Sequence, residues 1–156
     1  RLFADIVVIE KDAAAKRTNV RRVLDRKFAS AAIDDKLRRD VAVNVPVLGR
    51  IVEIPFAFQN GRFNFIKPVP FESKSVSTSE RTACQYAVEG RSLYDYESAD
   101  YGRMQLLVVG KFRAGDRETR EAVQRVLNEN HVRLMRFEQV PDLIDEIRRT
   151  GKPLAK

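Results

Sequence analysis

Between Val52 and Phe71 the chain reads VEIPFAFQNGRFNFIKPVPF. Phe56 and Phe58 alternate with smaller residues before Asn60-Gly61, and Phe63 and Phe65 alternate after it. A period of two on both sides of a residue pair that tolerates positive φ predicts a β-hairpin with a type I′ turn. This hairpin commits the middle of the chain to an antiparallel sheet, and the flanking segments must cover its faces. Pro55 cannot donate to a ladder, so its strand is locally an edge or carries a bulge. Pro68 and Pro70 close the hairpin. Lys67 follows a run of aromatic and aliphatic residues and is the most suggestive functional side chain of the stretch.

Upstream, Leu2 to Ile9 is apolar and β-branched, which fits a strand or the end of a helix. Ala13, Ala14 and Ala15 favour helix. Thr18 or Asn19 suits the cap of a fresh helix that places Val20, Val23, Leu24 and Phe28 on one face. Arg21, Arg22, Arg26 and Lys27 fall on its other faces, as a solvated surface or as a phosphate-contacting one. Ile33 to Arg39 reads as a short helix, started by Ser30 or Asp34. Asp40 to Leu48 alternates as a strand with Val41, Val43, Val45 and Val47 on one face, and Gly49-Arg50 turns the chain into the hairpin.

Downstream, Glu72 to Ser79 is a polar loop. Thr78 to Tyr96 is a long helix with Ala83, Tyr86, Ala87, Gly90, Leu93 and Tyr94 in a buried stripe. Gly90 costs a helix about 1 kcal/mol relative to Ala, which close packing against the sheet explains. Glu97 to Gly102 is a polar connection. Met104 to Val109 reads as a strand buried on both faces. Asp116 caps a helix from Arg117 to Asn130, Val132 to Phe137 is a strand, and Pro141 opens a last helix with Leu143, Ile144 and Ile147 inward. Gly151 and Pro153 end it. The expected fold is α/β (α+β): one mixed sheet, a three-strand antiparallel meander followed by a βαβ unit, with helices on both faces.

The 156 residues suit a single domain over 1–156. The chain begins at Arg1 and reads as part of a longer protein, with 1–17 as the end of an N-terminal segment. No run approaches the roughly 20 apolar residues that cross a bilayer, and no signal-peptide pattern is visible. With Cys84 as the single cysteine, a cytoplasmic location is expected. One cysteine and one histidine, His131, cannot build a zinc site of about four ligands, and any His-dependent nucleophile would have to use His131. His131 suits a helix C-terminus and Cys84 a core position. Tyr94, Tyr96 and Tyr101 surround a loop, as a rim of the core or as a surface that stacks on bases. The net charge of +7 favours a polyanionic partner.

The order helix, antiparallel meander, helix, strand-helix-strand resembles the restriction-endonuclease-like fold of the PD-(D/E)XK nuclease superfamily. The resemblance covers Val20 to Thr150 in topology. In that family the second strand of the meander carries an acid. The third carries an acid, a spacer and a lysine. The acids hold magnesium, and the lysine orients the attacking water. Lys67 in Phe65-Ile66-Lys67 matches the lysine, and Glu53 falls near the first acid. Phe65 stands where the second acid belongs. Gln85 and Tyr86 lack the Gln-x-x-x-Tyr spacing of one nuclease branch.

The resemblance with one acid missing implies a catalytically degenerate nuclease-like domain that binds nucleic acid or a partner protein, in a bacterial or phage defence or toxin-antitoxin system. No cofactor is then expected. The alternative is an active nuclease using Glu53, Lys67, Mg²⁺ and a further acid such as Glu72 or Asp40. A third reading is a protein-interaction module that forms homo-oligomers by sheet extension. For nucleic-acid contact the candidates are Arg21, Arg22, Arg26, Lys27 and Arg62.

Overall fold

The computed structural model describes residues 2–72 and 75–154, with side chains from residue 15 onward. In chain order the elements are α1 (Leu2–Ser30), β1 (Arg38–Val45), β2 (Arg50–Gln59), β3 (Phe63–Phe71), α2 (Val76–Asp95), β4 (Glu97–Ser98), β5 (Gly102–Phe112), α3 (Arg117–Glu129), β6 (Arg133–Arg136) and α4 (Val140–Thr150). Short 3-10 turns occupy Pro46–Leu48 and Phe137–Gln139.

The strands form one mixed sheet in the order β1-β2-β3-β5, with β6 beside β5 and the two-residue β4 against the start of β5. β2 runs antiparallel to β1 and β3. β3, β5 and β6 are parallel. Each parallel step needs a crossover, which α2 supplies between β3 and β5 and α3 between β5 and β6. The meander and the C-terminal βαβ unit follow the sequence expectation. The β3–β5 pairing, which joins them, was not anticipated.

Two apolar layers sandwich the sheet. On one face Phe63, Phe65, Val69, Leu106 and Val108 pack with Ala83, Ala87 and Leu93 of α2 and with Val123 and Leu127 of α3. On the other, Phe56, Phe58, Ile66, Leu107 and Val109 pack with Leu24 and Phe28 of α1 and with Val140, Leu143 and Ile147 of α4. β5 is thus buried on both faces, as its apolar run Leu106 to Val109 predicts. Val20, Leu24 and Phe28 are buried at steps of four along α1. Each fully buried apolar side chain contributes about 1.5–3 kcal/mol, which fixes this helix across the sheet.

Several local expectations change. Leu2 to Ile9 is helical, and α1 passes through Thr18 and Asn19 without a new start, because no glycine or proline interrupts it. Ile33 to Arg39 is not a helix. Ala32 takes a left-handed φ of 56°, turns follow, and β1 begins at Arg38. Ile33 and Leu37 are buried all the same, so their four-residue spacing reports burial rather than helix. Val47 leaves the strand for the 3-10 turn and is 58% exposed. Gln59 lies opposite Phe63, so the hairpin turn has three residues, of which only Gly61 has a positive φ, 102°. A type I′ turn would need two such residues in succession. Pro68 and Pro70 lie inside β3, not beyond it. α2 starts at Val76 on a Ser75 cap, inside the segment expected to be loop, of which residues 73 and 74 lie outside the described residues. Ser98 and Glu97 pair with Gly102 and Arg103 where only a connection was expected.

Candidate functional site

The β2–β3 ladder ends at the pair Phe56–Ile66. The next residue of β2 is Pro55, which has no N–H to continue it. From there β2 is paired only with β1, and β3 from Lys67 onward only with β5. Pro68 and Pro70 are tolerated because that side of β3 has lost its partner. The sheet is therefore forked, with Pro55 at the branch point. Opposite Pro55, Asp40 takes a φ of 53°, and the alternation reverses across the irregular pair. Ile54 packs on the α2 side of the sheet, whereas Phe56 packs on the α1 side.

The fork opens a cleft of about 170 Å³. β2 contributes Glu53, Ile54 and Pro55, and β3 contributes Lys67 and Pro68. Arg17 and Arg21 reach in from α1, Asp40 from β1 and Tyr86 from α2. Arg21, Asp40 and Pro55 also line an adjoining cleft of about 390 Å³ that continues past Arg22, Asp25 and Arg39. One groove thus runs between α1 and the outer strands, with Lys67 at its inner end.

Lys67 does not face water as a free cation. Its Nζ donates to both oxygens of Glu89, at 3.0 and 3.3 Å, and lies 5.0 Å from the centre of the Tyr86 ring. The side chains of Lys67 and Glu89 are only 18% and 9% exposed. Burial, and next the negative charge of Glu89, push the Tyr86 phenol above its ordinary value, while Arg17 pulls it back. Arg21 pairs with Asp40. Arg39 pairs with Asp25 at 2.9 Å and Asp34 at 2.8 Å. Of the three carboxylates around Lys67, only Glu53 has no ion pair among the described residues.

Apart from Glu53, the carboxylates at the groove are each paired with a cation: Glu89 with Lys67, Asp40 with Arg21 and Asp25 with Arg39. Among the described residues no group of three or more His, Cys, Asp or Glu side chains could hold a metal ion. Phe65, where the resemblance puts the second acid, is fully buried and meets the edge of Tyr101. Glu72 pairs with Lys111 at 3.5 Å beyond the end of β3 and does not line the cleft. This donor set does not fit the magnesium site of the resemblance.

Glu53 and Lys67 do come together on one cleft. Of the five cations proposed to contact nucleic acid, Arg21 and Arg22 line the groove. Arg26 and Lys27 border a separate depression of about 440 Å³ between α1 and α4. Arg62 lies at the hairpin, 3.9 Å over the Tyr94 ring, and donates to the Met104 carbonyl. Tyr94 also stacks on His131 at 4.3 Å. His131 is the residue after the C-cap of α3, with a left-handed φ of 60°. Val132 N–H bonds Leu127 O and His131 N–H bonds Asn128 O, so it terminates the helix through its backbone. Cys84 is exposed, contrary to the core position expected of it. Tyr101 joins the core rim and donates to the Ala42 carbonyl at 2.8 Å.

Arg17, Arg39 and Glu89 were missed in the sequence. Glu89 had a signal: it sits three residues after Tyr86 and four before Leu93, on the buried stripe of α2. A carboxylate on such a stripe demands a buried cation, and Lys67 on the neighbouring hairpin strand is one. Comparison of the chain with protein-family models, curated proteins and solved structures gives no match.

Proposed function

We propose that this chain is a catalytically degenerate nuclease-like domain that binds nucleic acid along the groove between α1 and the forked strands. One observation carries the reading. The lysine that would serve chemistry is neutralised by Glu89, while α1 lines the same groove with Arg17, Arg21 and Arg22. Arg17 and Arg22 are exposed and make no ion pair among the described residues, so both guanidinium groups remain free to meet phosphates. Backbone contacts of this kind give binding without base readout.

The test is fluorescence anisotropy with labelled single- and double-stranded DNA over a salt series, with Mg²⁺ present and the products run on a gel. Intact DNA is expected, with binding that weakens steeply as salt rises. Arg17→Gln/Arg22→Gln should reduce the slope of log K against log salt by about 2, close to one per lost phosphate contact. An unchanged slope would remove α1 from the interface. Cleaved DNA would replace the reading with an active nuclease.

Exposed apolar residues at the β1–β2 connection favour a second reading. β1 is an edge strand, and Val47, Leu48 and Ile51 stand exposed beside it. Such an edge suits sheet extension with a second copy. Light scattering would then show a concentration-dependent mass that Ile51→Lys abolishes.

A further inference from the structure

A second cluster of cations lies on other elements, where Arg120 and Gln124 of α3, Leu134 and Arg136 of β6, and Gln139 surround a cleft of about 320 Å³. It shares no residue with the groove at the fork. No carboxylate lines it. Neither Arg120 nor Arg136 has an ion pair among the described residues. Gln139 accepts the Arg136 backbone N–H at 2.9 Å through its side-chain oxygen, which leaves its amide N–H₂ to donate. The cleft therefore presents two guanidinium groups and amide donors, with no acceptor of matching charge.

Its place in the fold is also informative. Arg136 is the last residue of β6, which runs parallel to β5. Ligands of α/β sheets collect beyond the carboxyl ends of parallel strands. The volume lies at the lower end of the range of about 300–1,000 Å³ for small-molecule sites.

We propose that this cleft binds a phosphomonoester. A phosphomonoester carries a charge of about −1.5 to −2 at neutral pH and offers three terminal oxygens. Two guanidinium groups match that charge, and their planar forks match the oxygens. A carboxylate or a phosphodiester brings one charge and would leave one arginine uncompensated. The group comes either from a free small molecule or from the phosphorylated end of a nucleic acid.

Titration calorimetry separates these sources. The titrants are inorganic phosphate, a nucleoside 5′-monophosphate, the bare nucleoside, and matched oligonucleotides with 5′-phosphate or 5′-hydroxyl ends. Phosphate and the monophosphate should bind and the nucleoside should not. Arg120→Gln/Arg136→Gln should weaken both by about tenfold or more, as expected for lost charge-assisted bonds. Arg17→Gln/Arg22→Gln should leave them unchanged, so failure here is distinct from failure at the fork. Tighter binding of the 5′-phosphorylated oligonucleotide assigns the site to a nucleic-acid end. Equal binding of the two oligonucleotides, with the monophosphate bound, assigns it to a small molecule. The proposal is overturned if the wild type binds neither phosphate nor monophosphate up to about 10 mM, if the nucleoside binds as well as its monophosphate, or if the arginine variant keeps wild-type affinity.

Discussion

Gly90→Ala should destabilise this protein, although the same change on an exposed helix stabilises. In a helix interior Ala is better than Gly by about 1 kcal/mol. At Gly90, however, a Cβ would stand 2.2 Å from Val132 Cγ2 and 3.3 Å from two carbons of Leu106. Carbon atoms in contact sit about 3.5–4.0 Å apart. Val132 is 2% exposed and Leu106 is fully buried. Val132 is also held by its backbone, because its N–H bonds Leu127 O to close α3. Neither neighbour can withdraw without moving α2 or the turn after α3. Overpacking of a tight core costs about 1–3 kcal/mol. Setting the propensity gain against it leaves a net loss of up to about 2 kcal/mol, or a fall of up to about 8 °C in Tm for a chain of this length. Val132→Ala removes the atom at 2.2 Å at its own cost. The double variant Gly90→Ala/Val132→Ala should therefore be more stable than the two single losses predict, with a coupling of about 1 kcal/mol or more. Urea denaturation and calorimetry of the four proteins measure the cycle. A higher Tm for Gly90→Ala alone would show that α2 does not approach the sheet this closely at Gly90.

The Lys67–Glu89 pair predicts an asymmetric cycle. Lys67→Met leaves a nearly buried carboxylate unpartnered and should cost about 2–4 kcal/mol, whereas Lys67→Met/Glu89→Leu should recover most of that in urea midpoints. If the two variants are equally stable, the pair does not anchor α2 to β3. Arg133–Glu146 predicts a pH dependence. The hydrogen bond from Arg133 chiefly holds the Glu146 carboxyl below its ordinary 4.5, against an opposing effect of burial. A group whose folded pKa is depressed adds stability above its unfolded pKa and loses it as pH falls through the folded value. The stability advantage of the wild type over Glu146→Gln should be full at pH 7 and close progressively below about pH 4.5. An advantage that persists at pH 2 would mean the ion pair is not its source.

The elements legible in the sequence are those whose burial follows a simple period. The period of two around Asn60-Gly61, the two-faced run at β5 and the Asp116 cap of α3 each rest on a few adjacent residues, and each is present. The misreadings share a cause. Ile33 and Leu37 are four apart and buried, which helix and consecutive turns satisfy equally. The turn there uses Ala32 in a left-handed conformation that glycine normally signals, so no glycine marks it. By sequence, Pro68 and Pro70 mark the end of a strand, because proline removes a donor. They persist inside β3 because β2 had already left at Pro55, and that is a tertiary fact.

Pro55 therefore links fold and site. A proline in a strand with neighbours on both sides forces one ladder to stop, and here the β2–β3 ladder stops. Asp40 absorbs the irregularity on the other side by taking a positive φ and pairing with Arg21 of α1. The gap left between the strands is lined by both Glu53 and Lys67. The warning in the sequence and the candidate site are thus one event seen at two levels. The sequence supplied the branch point and both side chains. The carboxylate that pairs with Lys67 comes from Glu89, twenty-two residues later on α2. A resemblance read along β3 looks for the acid at Phe65. The fold brings one in from α2, where it neutralises the lysine and leaves the charge facing the groove to the arginines of α1.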